Sequence, residues 1–258
     1  MGRTLYIIIA LAGMAYLFSA CSEVGDTMQP ENEYGSLSLD LETVQPNRLV
    51  ITKAATIDVN TFSVVIKQED KPVKSFGTFQ KLKESGTLRL EKGIYTIVAS
   101  QQGEMAEVSG QPFYSGQGDV EIEANAFAKP TITCKMQQVR VKVELDKALI
   151  EALTSVPDDL SISNGNTKGL HKFKIDEETG ESEEIYIRPT ENLRLSFSAT
   201  EKEYQEPVIY NELLKYKDEK SPVANDYLTV TIGLATGETK TLTDRSANRP
   251  LNLKVTVR

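Results

Sequence analysis

Apolar and polar residues alternate in short blocks along most of the chain. Leu37, Leu39 and Leu41 alternate with Ser36, Ser38 and Asp40. A strand turns successive side chains to opposite faces, so a period of two predicts one face in a core and one in water. The same period marks 61–68, where Phe62, Val64 and Ile66 share a side, and 118–124, where Val120 and Ile122 oppose Glu121 and Glu123. It is cleanest over 139–146, where Val139, Val141, Val143 and Leu145 face one way and Arg140, Lys142 and Glu144 the other. Further strands are predicted over 87–100, with a turn at Gly93, and over 129–136. They continue over 160–163, 170–175, 183–189, 192–200, 227–235, 239–243 and 251–258. Helix signals are confined to 146–155, with Asp146 as N-cap, and to a turn or two at 79–85.

Many short strands joined by Gly, Pro and Asn turns predict a mainly β chain of sandwiches or barrels. A second run of strands begins at Val139, so two β-sandwich domains in tandem are expected, 34–137 and 138–258. The 258 residues are 40% hydrophobic and 26% charged, enough for two modest cores without metal or disulfides.

The one long apolar run breaks this rhythm. Residues 5–18 carry no charge and follow Arg3. The run is shorter than the roughly 20 residues a spanning helix needs. A positive residue, a short apolar stretch and small residues describe a secretory signal. Here Phe18, Ser19 and Ala20 lead directly into Cys21, and an apolar residue, two small residues and a cysteine make the bacterial lipobox pattern. Phe18 stands where Leu is commonest. Residues 1–20 are therefore expected to be a signal peptide, with Cys21 the lipidated first residue of the mature chain. The alternatives are an ordinary secretory signal with a coincidental cysteine, and an uncleaved anchor helix. Several acyl chains anchor stably where one does not. Residues 22–33 are polar and aperiodic, so 21–33 reads as the lipidated cysteine and a flexible tether.

A lipidated Cys21 leaves Cys134 alone. It alternates with Ile132 and Met136 on one strand face, which predicts a small apolar thiol packed inside. The net charge of -8 argues against a nucleic-acid partner, whose binders present basic patches. It argues equally against electrostatic binding to an anionic membrane surface.

Order and spacing carry one resemblance. The segments 34–41, 51–66, 90–100, 112–125 and 132–145 occur behind a lipobox tether, and together they resemble the fimbrillin-like lipoproteins of Bacteroidales. More closely they resemble a sister family of uncharacterised function. The likeness covers most of 34–146 and weakens from 147 onward. It implies transthyretin-like β-sandwich domains and exposure at the outer membrane or cell surface. Fimbrillins polymerise by donating a strand after proteolytic trimming. Arg48 and Lys53 lie where such trimming could fall, though no family cleavage motif maps onto them.

Candidate chemistry is sparse. The single histidine, His171, would have to serve any Ser-His-Asp triad or Cys-His pair. It is expected on the solvent face of a strand whose opposite face is apolar. One histidine and one unmodified cysteine cannot assemble a zinc set. No phosphate loop or dinucleotide turn is present. Asp176, Glu177, Glu178, Glu181, Glu183 and Glu184 surround Gly180, oxygen ligands that could hold calcium. Their spacing is not that of an EF-hand, and a solvated hairpin tip is the plainer expectation. Glycosidase carboxylates far apart in the chain have nothing positive behind them. No catalytic, cofactor or metal residue is assigned. A glycan could stack on Tyr114, Tyr204 or Tyr210, although the chain has no tryptophan. The last segment, Leu251 to Arg258, could close its own sheet or add to a neighbour's edge, with closure favoured.

The expectation is a lipid-anchored outer-membrane protein with a non-catalytic structural, adhesive or fimbria-associated role. A fimbrial subunit or other protein is then the partner. The alternative is a glycan- or protein-binding accessory lipoprotein of a nutrient-uptake system. The cell surface is favoured over the periplasmic face, although only Glu23 and Asp26 follow the cysteine as acidic residues.

Overall fold

The structure is a computed structural model in which residues 33–44, 57–216, 219–235 and 253–257 are described. Cys21, Arg48, Lys53 and the strand expected over 239–243 lie outside the described residues. The chain is mainly β, as its alternation predicts, and its sheets face one another around two apolar cores.

The first part of the chain supplies β1 (Tyr34–Leu37), β2 (Asp40–Thr43), β3 (Ser63–Gln68) and β4 (Lys71–Phe76). Helix α1 (Phe79–Glu84) follows, then β5 (Leu88–Glu91), β6 (Gly93–Ser100), β7 (Val108–Ser109), β8 (Tyr114–Ile122), β9 (Phe127–Ala128) and β10 (Thr131–Met136). One layer is a six-stranded sheet in the order β2-β10-β8-β6-β3-β4, and the other a three-stranded sheet in the order β5-β1-β9. Phe62, Val64, Ile66, Tyr95, Ile97 and Cys134 fill the space between them with Leu37, Leu88 and Leu90. Each such side chain withdrawn from water is worth about 1.5–3 kcal/mol. Helix α1 closes one end, inserting Phe79 and Leu82, and the Thr78 side chain caps it by accepting the Lys81 N–H at 3.2 Å.

The alternation over 36–41 does not make one strand. It splits between β1 and β2, in different sheets, while Leu37 and Leu39 stay buried. The chain crosses between layers here beside 126–136, bonded to it throughout. Ser36 N–H donates to Ala126 O at 2.8 Å, Ser38 N–H to Ala128 O at 3.0 Å, and Asp40 N–H to Pro130 O at 3.1 Å. Nor is Gly93 a hairpin turn. It carries the chain from β5 in one sheet to β6 in the other, at a φ of 154°. Glycine is required for a different reason at Gly116, where a β-carbon would lie 2.3 Å from Thr133 O. At that point β10 crosses the inner face of β8, and their pairing is limited to Ser115–Lys135 and Tyr114–Met136.

The second part supplies β11 (Val139–Leu145), α2 (Lys147–Ala152), β12 (Ser161–Ser163), β13 (Leu170–Lys172) and β14 (Ile185–Ile187). It continues with β15 (Arg194–Thr200), β16 (Pro207–Leu213), β17 (Tyr227–Leu234) and β18 (Leu253–Val257). A five-stranded sheet, β18-β17-β11-β14-β7, faces a four-stranded sheet, β13-β12-β15-β16. The alternating residues of β11 are all buried between them, with Ile162, Leu195, Phe197 and Val230. Asp146 precedes α2 as expected but makes no side-chain cap bond.

Among the described strands, four escaped the periodic signal, the two-residue β7 and β9 and the longer β4 and β16. β4 and β16 lie at sheet edges and are mostly exposed. Lys71, Pro72 and Lys74 in one, and Pro207, Asn211 and Glu212 in the other, are residues that discourage edge-to-edge pairing.

Candidate functional site

The residues singled out for chemistry do not converge. Cys134 is wholly buried in the first core, where burial pushes its thiol up to about 11. Its Sγ lies 3.9 Å from Ala99 O. A thiol so placed stays protonated at neutral pH and is a poor nucleophile. Tyr114 is 2% exposed, which removes it as a platform for a sugar ring. It belongs to the first core because even residues of β8 face inward. Tyr210 is half-buried and stacks on Phe197 with centroids 5.6 Å apart. Tyr204 is exposed.

His171 corrects its expected setting. It shares the side of β13 that bears Phe173, and the opposite side, with Leu170, is the exposed one. The residue is half-buried, its ring edge-on to Phe173 at 5.1 Å. Its Nε2 lies 3.0 Å from Glu183 Oε1. The Ser182 hydroxyl next along the chain is already engaged. It donates to Glu183 O at 2.7 Å and accepts the Val143 N–H at 2.9 Å.

The acidic segment 175–185 is not a simple hairpin tip, because β13 and β14 belong to different sheets. Its arms meet at the bridge between Ile175 and Ser182, where Asp176 N–H donates to Glu181 O at 2.9 Å, and at Glu183, whose Oε2 accepts the Lys174 N–H at 3.2 Å. Asp176 Oδ1 accepts the Glu178 and Thr179 N–H groups at 2.9 Å each, and these bonds hold its carboxyl below the usual range. Glu181 turns to Lys142, with 2.7 Å between Nζ and Oε2. Glu184 receives Arg140 Nε at 2.9 Å and a second guanidinium contact beside it. The carboxylates are thus drawn apart by separate partners. Among the described residues, no three His, Cys, Asp or Glu side chains form a group able to hold a metal ion.

What the structure does assemble is a polar and aromatic junction between the two cores. Tyr186 of β14 and Tyr227 of β17 pack against the first core from strands of the second. The Arg140 guanidinium stacks 4.7 Å over the Tyr227 ring. Gln138 is fully buried, and its Oε1 accepts the Phe113 N–H at 3.0 Å while its Nε2 donates to Ala106 O at 3.1 Å. Glu107 accepts Asn164 Nδ2 and Asn166 Nδ2, both at 2.8 Å on Oε2. These bonds, with Arg188 nearby, lower its pKa despite partial burial. Arg188 Nε lies 3.1 Å from Glu107 Oε1 without hydrogen-bond alignment, and its Nη2 donates to Met105 O at 2.9 Å. No periodicity flags these residues, because their partners are distant in sequence.

On the outer side of the six-stranded sheet, the divergence of β8 and β10 leaves an open groove. Val98, Ser115, Gln117, Thr131, Thr133 and Lys135 line it. Among the described residues, no helix is long and apolar enough to cross a membrane.

No curated protein matches the sequence significantly. Several of the solved structures that match it come from Bacteroides. A candidate cell-adhesion protein of Bacteroides eggerthii is 12% identical with a TM-score of 0.47, covering 88% of this chain and 95% of that one. A candidate polysaccharide-binding protein of Bacteroides thetaiotaomicron is 11% identical with a TM-score of 0.47, covering 78% and 92%. A fimbrial protein of Bacteroides ovatus is 9% identical with a TM-score of 0.33, covering 78% and 50%. A family model described as a domain of unknown function, DUF4493, matches residues 33–250, and the chain belongs to that family.

Proposed function

We propose that the protein is a fimbrillin-like, lipid-anchored component of the outer membrane with a non-catalytic structural, adhesive or fimbria-associated role. The observation that carries the non-catalytic part is the engagement of its reactive side chains. Cys134 is sealed in a core, and Ser182, the hydroxyl next to Glu183 of the His171–Glu183 pair, is engaged with Glu183 O and the Val143 N–H. The anchoring rests on the lipobox ending in Cys21 and the polar segment 22–33 before the first strand. Residues 34–137 and 138–258 are read as two domains, 1–20 as the signal peptide and 21–33 as the tether. The names borne by the solved structures above, cell-adhesion, fimbrial and polysaccharide-binding, do not carry the reading.

Cys21→Ala, or globomycin treatment, tests the anchor. Either should change the processed mass and release the protein from the membrane fraction. Unchanged mass and partitioning would overturn it. Protease treatment of intact cells should remove the folded region, and full protection would place it at the periplasmic face. Neighbouring genes separate the two roles. Fimbrial anchor and tip genes favour assembly, whereas outer-membrane transporter genes favour an accessory protein that binds glycan or protein.

A further inference from the structure

Strands β6 and β8 are antiparallel neighbours whose pairing runs up to Ser100 and Ser115. A hairpin of this kind normally closes with two to five residues. Here the whole of 101–114 lies between those partners, and much of it leaves its own core for the other one.

The excursion is fixed at its base. Gln101 N–H donates to Tyr114 O at 3.0 Å, and Gln101 Oε1 accepts the Tyr114 N–H at 2.9 Å. Gln102 Nε2 donates to Gly77 O at 3.1 Å and to Thr61 O at 3.2 Å. Its far end is built into the second half. β7 pairs with β14 at Val108–Ile187 and Ser109–Tyr186, supplying the fifth strand of that sheet. Val108 packs against the second core, and Arg188 N–H donates to Glu107 O at 2.8 Å. The Glu107 carboxylate holds Asn164 and Asn166, and Asn164 is 1% exposed. Asn164 passes the connection on through Thr190, whose Oγ1 donates to Asn164 O at 2.7 Å. The middle of the excursion is held by Gln138, which lies in the short connection between β10 and β11.

We propose that the excursion over 101–113 is an internal clasp that makes the two cores one cooperative unit. The chain connection from β10 to β11 supplies a pivot that Gln138 braces, and β7 and Glu107 remove its remaining freedom with bonds placed away from it. A partly buried charge that accepts two amide donors, an added strand and a partly buried valine give the clasp energy and direction. A force or a partner acting on the second half then acts on the first without an intervening hinge. The inference does not depend on lipidation or on the adhesive role.

Amide hydrogen exchange across a urea series, read by mass spectrometry on the full chain, tests this. Peptides of β6 and β15 report the first and second cores separately. In the unaltered protein the two midpoints should coincide within about 0.2 M, as cooperative unfolding requires. Replacing 103–111 with Gly-Asn-Gly should part them by about 0.5 M or more, with Glu107→Ala producing a smaller separation in the same sense. Distinct midpoints in the unaltered protein would overturn the proposal. So would variants that move both midpoints together or leave both unchanged. Should the replacement fail to fold, the unaltered protein and Glu107→Gln decide by the same criterion, since Glu107→Gln retains β7 and removes only the charge.

Discussion

Gln138 Oε1 receives the backbone N–H of Phe113 at 3.0 Å, in a position sealed from solvent. The same amide donates to Ala106 O, and Gln138 O accepts the Asn225 N–H at 3.0 Å. One side chain and its carbonyl therefore join the excursion after β6, the entry to β11 and the approach to β17. Buried polar groups are costly only when left without partners. Gln138→Leu keeps a similar volume but strands a donor at 113 and an acceptor at 106. Both bonds are only part-buried, so urea denaturation should show a loss of about 1–2 kcal/mol. A loss below about 0.5 kcal/mol would mean that water replaces the amide.

The crossing of β8 by β10 depends on the missing side chain of Gly116. Alanine there would meet backbone atoms of Thr133 and Cys134 rather than a flexible side chain. Gly116→Ala should cost about 1–3 kcal/mol or more, the usual penalty of overpacking. Gly77→Ala is the control, because a β-carbon there would have nothing within 4 Å and the φ of Gly77 is not in the left-handed region. It should change stability by less than about 0.5 kcal/mol.

Alkaline pH should unfold the protein through two buried acids. Burial raises the Cys134 thiol to about 11 and the Tyr114 phenol to about 12. The folded state holds both protons more tightly than the unfolded state does. Their contribution is complete below about pH 9, the unfolded thiol value, and is lost as pH rises through the folded values. Stability should fall by up to about 1.4 kcal/mol per pH unit for each group while only the unfolded form releases its proton. Cys134→Ala should flatten the part of this slope that begins near pH 9. An identical slope in the variant would exclude the thiol.

The acid limb should report Glu107. Hydrogen bonds from Asn166 and Asn164 hold its carboxyl low, and the folded state therefore releases this proton more readily. The resulting stabilisation is present above the ordinary glutamate value and disappears as pH falls through the folded one. Stability curves of the native chain and Glu107→Gln should converge below about pH 4 and diverge above it. Parallel curves would show that the carboxylate contributes nothing through its charge.

Strand β18 pairs with β17 along Leu253–Val257, and Leu253, Val255 and Val257 pack against the second core. Removing 251–258 should lower thermal stability or leave the chain insoluble, because both pairing and apolar cover are lost. A truncated monomer with unchanged melting would instead make this strand available for a neighbouring molecule.

Much of the β framework was legible before the structure. The period of two in β3, β10 and β11 placed Val64, Cys134 and Val143 inside, and all three are buried. Two edge strands, β4 and β16, were not legible. In β4 and β16, prolines and charges answer to solvent and to the avoidance of foreign pairing, so the alternation that a core imposes is missing. The chemical candidates were legible as residue types but not as neighbours. His171 looked solvent-facing until Phe173 was seen on its own side, and Tyr114 looked available until β8 was found to begin with it buried.

Local alternation thus determined strand content and inward faces, since side-chain direction along a strand follows from the backbone and the need to leave water. The apolar run of 5–18, not alternation, singles out Cys21 in the sequence. Sheet membership was decided by long-range pairing. The same uninterrupted alternation over 36–41 serves two sheets, and the polar stretch 101–113 contributes a strand to a sheet formed otherwise by residues after 138. Backbone hydrogen bonds are nearly blind to side-chain identity, so which strands meet is settled by how the two cores close. The meeting of Glu107 with Asn164, or of Phe113 with Gln138, exists only once they have.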